Sequence, residues 1–73
     1  MIPPSTSDQE TYKDHLIVSN ARKLGPNAWA YTVEIQTPGG KWLPTIKDHD
    51  HTFDTAEGAV AEGMRTGRSV VGR

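Results

Sequence analysis

The sequence contains no cysteine, and this absence removes two common ways of stabilising a short chain. A disulfide framework and a thiolate zinc site both require cysteine. With 73 residues, of which 34% are hydrophobic, the chain has enough apolar surface for one modest core. We therefore expect a single domain whose stability depends on packing or on self-association.

Long hydrophobic runs and an excess of one charge are lacking as well. The longest apolar runs, Leu16-Ile17-Val18 and Trp29-Ala30-Tyr31, are far too short to span a bilayer. The N-terminus shows no charged-then-apolar export signal, so we expect a cytoplasmic protein with no membrane partner. Lys and Arg number 8 against 9 Asp and Glu, for a net charge of -1. No global field therefore attracts nucleic acid, and binding it would require a local basic patch.

The one long periodic segment begins near Phe53 and predicts a C-terminal helix. Asp54 or Thr55 can cap the first amides of this helix. Glu57 follows Asp54 by three residues, as a capping box requires, and Phe53 stands where a hydrophobic staple begins. Small and apolar residues then recur at helical spacing: Ala56, Ala59, Val60, Gly63, Met64, Gly67 and Val70 or Val71. This stripe predicts a helix lying on a sheet, with its two glycines allowing a close approach.

Three segments before the helix are typical of β-strands, and they span residues 12–24, 29–36 and 41–46. The second is the clearest, because apolar and polar residues alternate along its whole length. Turn-forming residues separate the strands, with Gly25-Pro26-Asn27 after the first and a Pro-Gly-Gly turn over residues 37–40 after the second. Pro44 cannot donate to a strand ladder, so the third strand is expected at a sheet edge.

Residues 1–11 are polar and aperiodic, and they predict a flexible N-terminal arm. At most, Ser7 to Glu10 would form one helical turn. The fold class is therefore predicted to be α+β, with a three-stranded antiparallel sheet packed against one C-terminal helix (β-β-β-α) over residues 12–73.

One face of such a sheet is left uncovered by the helix. If Val33 and Ile35 point toward the helix, Trp29 and Tyr31 share their side as core residues, and the hairpin register turns Trp42 outward. An outward Trp42 indicates an interface, because aromatic residues are enriched there and also stack on bases. The alternative is that Trp42 packs on Pro44 or under the arm. The candidate partner surface comprises Thr32, Glu34, Gln36 and Trp42 with the neighbouring cations Arg22, Lys23 and Lys41.

Several phrases in the second half of the chain occur in a familiar order: Val33-Glu34-Ile35-Gln36, Lys41-Trp42-Leu43, and Thr52-Phe53-Asp54-Thr55-Ala56-Glu57. In this respect the chain resembles the plant ethylene-response-factor DNA-binding domain. The resemblance implies a three-stranded sheet on a helix, with the outer face laid in the DNA major groove and Glu34 and Trp42 matching members of its contact face. Gln36 stands where that family has an arginine, and strand one lacks the family's arginine-rich phrase.

The same cap phrase, the aromatic strand and the glycine hairpin also resemble those of small uncharacterised bacterial proteins of β-β-β-α layout. This second resemblance is closer in chain length. It implies the same fold and brings no function with it.

A pair of histidines, His49 and His51, flanks Asp50 and offers ligand types suited to a divalent metal. A structural zinc site needs four ligands, and only His15 is available at a distance to join this pair. The alternative is a solvated polar loop whose carboxylates favour the helix N-terminus. We expect no bound metal or other cofactor.

No motif for catalysis is evident, since no serine or threonine sits on a nucleophile elbow or beside a glycine-rich oxyanion loop. Gly39-Gly40 is too short to cradle a phosphate and leads into a strand. We therefore predict a non-catalytic interaction module that binds protein, including a second copy of itself, through the open sheet face or the edge strand. The alternative is a nucleic-acid-binding domain using the outer sheet face, and a more remote one is a metal-responsive protein using His49 and His51.

Overall fold

The computed structural model describes residues 7–47 and 51–72. They form an α+β fold in which one helix lies on an antiparallel sheet of four strands in the order β1-β2-β3-β4. The elements are β1 (Ser7–Tyr12), β2 (His15–Gly25), β3 (Ala28–Gln36), β4 (Ile46–Lys47) and α1 (Ala56–Val71). The α+β class and the C-terminal helix are as predicted. The count of three strands is wrong, because the described residues contain a fourth.

The additional strand is β1, which lies where the sequence predicts an arm. It pairs with β2 in a six-residue antiparallel register running from Ser7 opposite Asn20 to Tyr12 opposite His15. Lys13 and Asp14 connect the two strands with φ values of 49° and 64°, as a tight hairpin turn requires. The expectation of an arm, or of a helical turn from Ser7 to Glu10, is therefore wrong for residues 7–11, while residues 1–6 lie outside the described part of the chain.

The predicted first and second strands correspond to β2 and β3, which pair along nearly their whole lengths. The third is shorter than predicted: only Ile46–Lys47 pairs regularly with β3. Before it, Trp42 forms an isolated bridge with Gln36, and the Leu43 amide donates to the Ile35 carbonyl over 2.8 Å. Pro44 follows directly and has no amide to continue the ladder. The predicted edge position of this segment is confirmed, because β4 ends the sheet.

The core lies between α1 and the odd-numbered residues of β2 and β3. Its buried side chains are Ile17, Ser19, Tyr31, Val33 and Ile35 from the sheet and Ala56, Ala59, Val60 and Met64 from the helix. Tyr31 is thus a core residue as predicted, and the Trp29 side chain is half-buried beside it. Helix and sheet touch closely because Gly63 and Gly67 present no side chain to β2 and β3.

The start of the helix differs in one detail from the prediction. Thr55 is the N-cap, and its hydroxyl accepts a hydrogen bond of 3.0 Å from the Gly58 amide. Glu57 is therefore at the wrong spacing for a capping box. Phe53 exchanges two backbone hydrogen bonds with Trp29, and its ring centroid lies 6.3 Å from that of Tyr31. This bridge fixes the chain to β3 before the helix begins.

Candidate interaction surface on the outer sheet face

The sheet face opposite α1 is called the outer face here. Side chains directly opposite each other in antiparallel strands share a face, so the registers of β2, β3 and β4 define it. It contains Leu16, Val18, Asn20, Arg22, Ala30, Thr32, Glu34, Gln36 and Lys47, of which Ala30 is buried, joined by Trp42 opposite Gln36. The structure therefore brings together five of the predicted surface residues: Arg22, Thr32, Glu34, Gln36 and Trp42.

Trp42 is the most prominent apolar side chain on this face. It is 49% exposed, and its position is fixed by the bridge to Gln36 and by the Leu43 hydrogen bond. Leu16 lies opposite Gln36 on the other side, and Val18 follows two residues later on the same strand. Leu16, Val18 and Trp42, called the apolar strip, thus lie at one end of the outer face, with Gln36 between Leu16 and Trp42.

Gln36 is engaged by its own hairpin. Its side-chain amide donates to the Gly40 carbonyl over 3.2 Å, and Gly40 has a φ of 89° that only glycine adopts readily. Lys41 is exposed, and its amide and carbonyl both bond to Thr37. The hairpin therefore holds Gln36 opposite Trp42 and fixes Lys41, which directly precedes Trp42 in the chain.

Lys23 does not lie on this face. It is opposite Trp29 on the helix side of the sheet, and its ammonium group lies 5.9 Å from the centroid of the Trp29 ring. Its neighbour Arg22 points outward and is exposed. Lys47 also belongs to the outer face, opposite Thr32. Leu16, Val18 and Lys47 also lie on the outer face but are not in the predicted set. For Leu16 and Val18 the signal is the alternation of the first predicted strand, which puts its even-numbered residues on the face away from Ile17.

Charges are divided between the two sides of the sheet. On the outer face, the described strands carry Arg22, Lys47 and Glu34, while the acids of β1, Asp8 and Glu10, share the helix side with Ser19 and Ile17. The outer face is thus more basic than the sequence as a whole, whose net charge is -1.

Glu10 of β1 meets the end of the helix. Arg68 donates two hydrogen bonds to the Glu10 carboxylate, of which Nε to Oε2 measures 2.6 Å. These hydrogen bonds lower the pKa of Glu10 and raise the pKa of Arg68, while partial burial opposes both shifts. The pair ties the edge strand to the last turn of α1.

Two of the shallow clefts among the described residues flank the helix. One, of about 370 Å³, is lined by Tyr31, His51, Thr52, Phe53 and Glu62. The other, of about 310 Å³, lies between β1 and the start of α1 and is lined by Ser7, Asp8, Glu57, Val60 and Ala61.

The predicted metal ligands are not assembled into a described site. His49 lies outside the described residues, and His15 is at the β1–β2 hairpin with its Nδ1 atom 2.8 Å from the Lys13 carbonyl oxygen. Within residues 7–47 and 51–72, no three histidine or acidic side chains cluster to hold a metal ion. Over the same residues, no helix has the length and apolar content needed to cross a bilayer.

Comparisons of the chain with protein-family models, curated protein sequences and solved structures return no match. Function is therefore inferred from the described surfaces.

Proposed function

We propose that this chain is a non-catalytic interaction module that binds protein through the outer face, with a second copy of itself as the first partner to test. The observation that carries this proposal is the position of Trp42, 49% exposed and fixed beside Gln36 in line with Leu16. Aromatic residues surrounded by polar ones are typical of the centre of a protein interface.

The shape of the molecule supports self-association. Its extents are 38 × 31 × 15 Å, which corresponds to two layers, one of sheet and one of helix. A second copy stacked on the outer face would cover apolar surface that the single helix leaves open.

Sedimentation analysis over a range of protein concentrations tests this proposal. We expect a dimer to form as concentration rises, and we expect Trp42→Ala to weaken it. Leu24→Ala is the matched control, because Leu24 is equally exposed at 49% and lies away from the apolar strip. A wild-type chain that stays monomeric at all concentrations would contradict self-association, as would an equal effect of the two substitutions.

The division of charge favours nucleic-acid binding as the second candidate function. Arg22 and Lys47 share the outer face with Trp42, so the face offers cations for phosphates and an aromatic ring for base stacking. Glu34 is the acid that opposes this among the described residues of that face. The resemblance to the ethylene-response-factor domain supports the same face.

An NMR titration tests nucleic-acid binding, with Arg22 on the outer face and Lys23 on the helix side as the pair of residues to compare. Amide chemical shifts are followed by NMR while duplex DNA or a single-stranded oligonucleotide is added at low salt. We expect shifts along β3 and around Trp42 that disappear at high salt, since phosphate contacts release counterions. Arg22→Gln should weaken binding and Lys23→Gln should not. The absence of shifts with either nucleic acid at low salt would overturn this candidate.

A further inference from the structure

The edge strand β1 offers a second surface, separate from the outer face. Its six residues pair with β2 along one side, and it ends the sheet on the other. An edge strand of this length spans about 20 Å, and its outward backbone groups can pair with a further strand. One of them, the Gln9 amide, donates to the Asp8 carboxylate over 2.9 Å, and a bound strand would have to replace this exposed hydrogen bond. β1 contains neither proline nor a bulge, whereas the opposite edge, β4, has two residues and follows Pro44 closely.

The cleft of about 310 Å³ runs alongside this edge. Its acidic side chains are Asp8 from β1 and Glu57 from the first turn of α1, and Val60 and Ala61 form its apolar floor. None of the described residues that line the cleft is a cation, and the Arg68 guanidinium further along the helix is engaged by Glu10. The cleft therefore combines net negative charge with an apolar surface, which suits the ammonium group and the aliphatic stem of a lysine.

A second copy of the chain is a poor match for this edge. Two-fold symmetric antiparallel pairing of β1 with itself places residues of the same parity opposite each other, because both copies keep their helices on the same side. The registers centred on residues 8, 9 and 10 then oppose Asp8 to Asp8, Asp8 to Glu10, or Glu10 to Glu10. Like charges directly opposite each other are destabilising in a sheet.

We propose that the edge of β1 binds an extended basic peptide segment, which adds a fifth strand to the sheet and directs a lysine or arginine into the cleft beside Asp8 and Glu57. Main-chain hydrogen bonds to β1 provide affinity and the acidic cleft provides selectivity. This surface does not involve Trp42, so it is independent of the function proposed for the outer face.

The probe is an eight-residue capped peptide of alternating lysine and valine, added to the full chain at low salt and followed by NMR. We expect amide shifts in β1 and at Glu57, Val60 and Ala61, with slowed hydrogen exchange of outward-facing β1 amides. The same peptide with alternate amides N-methylated should lose binding, because it cannot complete the ladder. A peptide of alternating glutamate and valine should not bind.

A conservative double variant tests whether the acidic side chains of the cleft contribute to peptide binding. Asp8→Asn combined with Glu57→Gln should weaken binding of the lysine peptide about fivefold, since ion pairs of exposed carboxylates each contribute little. Glu34→Gln, the control on the outer face, should leave binding unchanged, and so should Trp42→Ala. The proposal is overturned if the peptide causes no shifts, if the shifts map to the outer face, or if the N-methylated peptide binds equally well.

Discussion

The Ser19 hydroxyl donates a hydrogen bond of 2.8 Å to the backbone carbonyl oxygen of Val60, 41 residues later in the chain. Ser19 is completely buried in β2, and Val60 lies in the second turn of α1. This bond joins the sheet to the helix where Gly63 brings the two closest together. A polar residue thus fixes the position of the helix inside an otherwise apolar core.

Ser19→Ala should lower the free energy of unfolding by about 1 kcal/mol, the usual net contribution of an intramolecular hydrogen bond. The loss is limited because the Val60 carbonyl lies within the helix and keeps a backbone partner there. Urea denaturation of the two proteins measures the difference. Ser69→Ala, at an exposed helical position, is the control and should not destabilise the protein. Equal stability of wild type and Ser19→Ala would show that the bond is unimportant.

Gly67→Ala should destabilise the protein by about 1–3 kcal/mol through overpacking, although alanine is the better helix former. A β-carbon at this position would lie 2.6 Å from Ile17 Cγ2 and 3.2 Å from Val33 Cγ1, and both side chains are fully buried. Thermal or urea unfolding measures the effect.

The matched control for this glycine is Ala61→Gly on the exposed side of the same helix. It should cost about 1 kcal/mol through helix propensity alone. If Gly67→Ala instead stabilised the protein by a similar amount, the helix would not be in close contact with β2.

These two positions show why parts of the fold can be predicted from the sequence. The stripe of α1 and the alternation of β3 are periodic patterns over many residues, and each predicts both an element and its buried face. The close approach at Gly67 follows from the same pattern. Ser19 is different, because its burial depends on which residue of the helix comes to lie over it.

β1 could not be predicted for a physical reason. Ser7 to Glu10 contains no apolar residue, and the turn at Lys13 and Asp14 lacks the glycine or asparagine that usually marks positive φ. The stability of β1 comes from pairing with β2 and from the ion pair between Glu10 and Arg68. Both are contacts with another element of the fold, so neither shows in the residues of β1 alone. The surface prediction also included Lys23, although the alternation of β2 places it on the side of Ile17 and Ser19.

Thr55→Ala should destabilise the protein by about 1 kcal/mol, because the Gly58 amide loses its capping acceptor. Asp54→Ala tests the other residue that the sequence offers as a cap. It should cost less, since Asp54 contributes through the charge of its carboxylate near the helix N-terminus. Urea unfolding of the two variants under identical conditions decides between them. A larger loss for Asp54→Ala would mean that the cap is one residue earlier.

Glu10 and Arg68 should make stability depend on pH in the acidic range. The hydrogen bonds from Arg68 lower the pKa of Glu10 in the folded protein, so the folded state binds a proton less readily than the unfolded state. The contribution of the pair is therefore fully present above the unfolded pKa of about 4.3. It is lost as pH falls through the lower folded pKa.

Comparison of wild type with Glu10→Gln tests this dependence. The free energy of unfolding of each protein is measured by urea denaturation from neutral pH into the acidic range. We expect wild type to be more stable than Glu10→Gln near neutrality. This difference in stability should shrink progressively once the pH falls below the pKa of an ordinary glutamate. High salt should reduce the difference near neutrality, because both side chains are partly exposed.

Glu34→Gln controls for the loss of one carboxylate, since Glu34 lies on the other face. A difference between wild type and Glu10→Gln that stayed constant with pH would mean that Glu10 stabilises β1 through packing rather than through its charge.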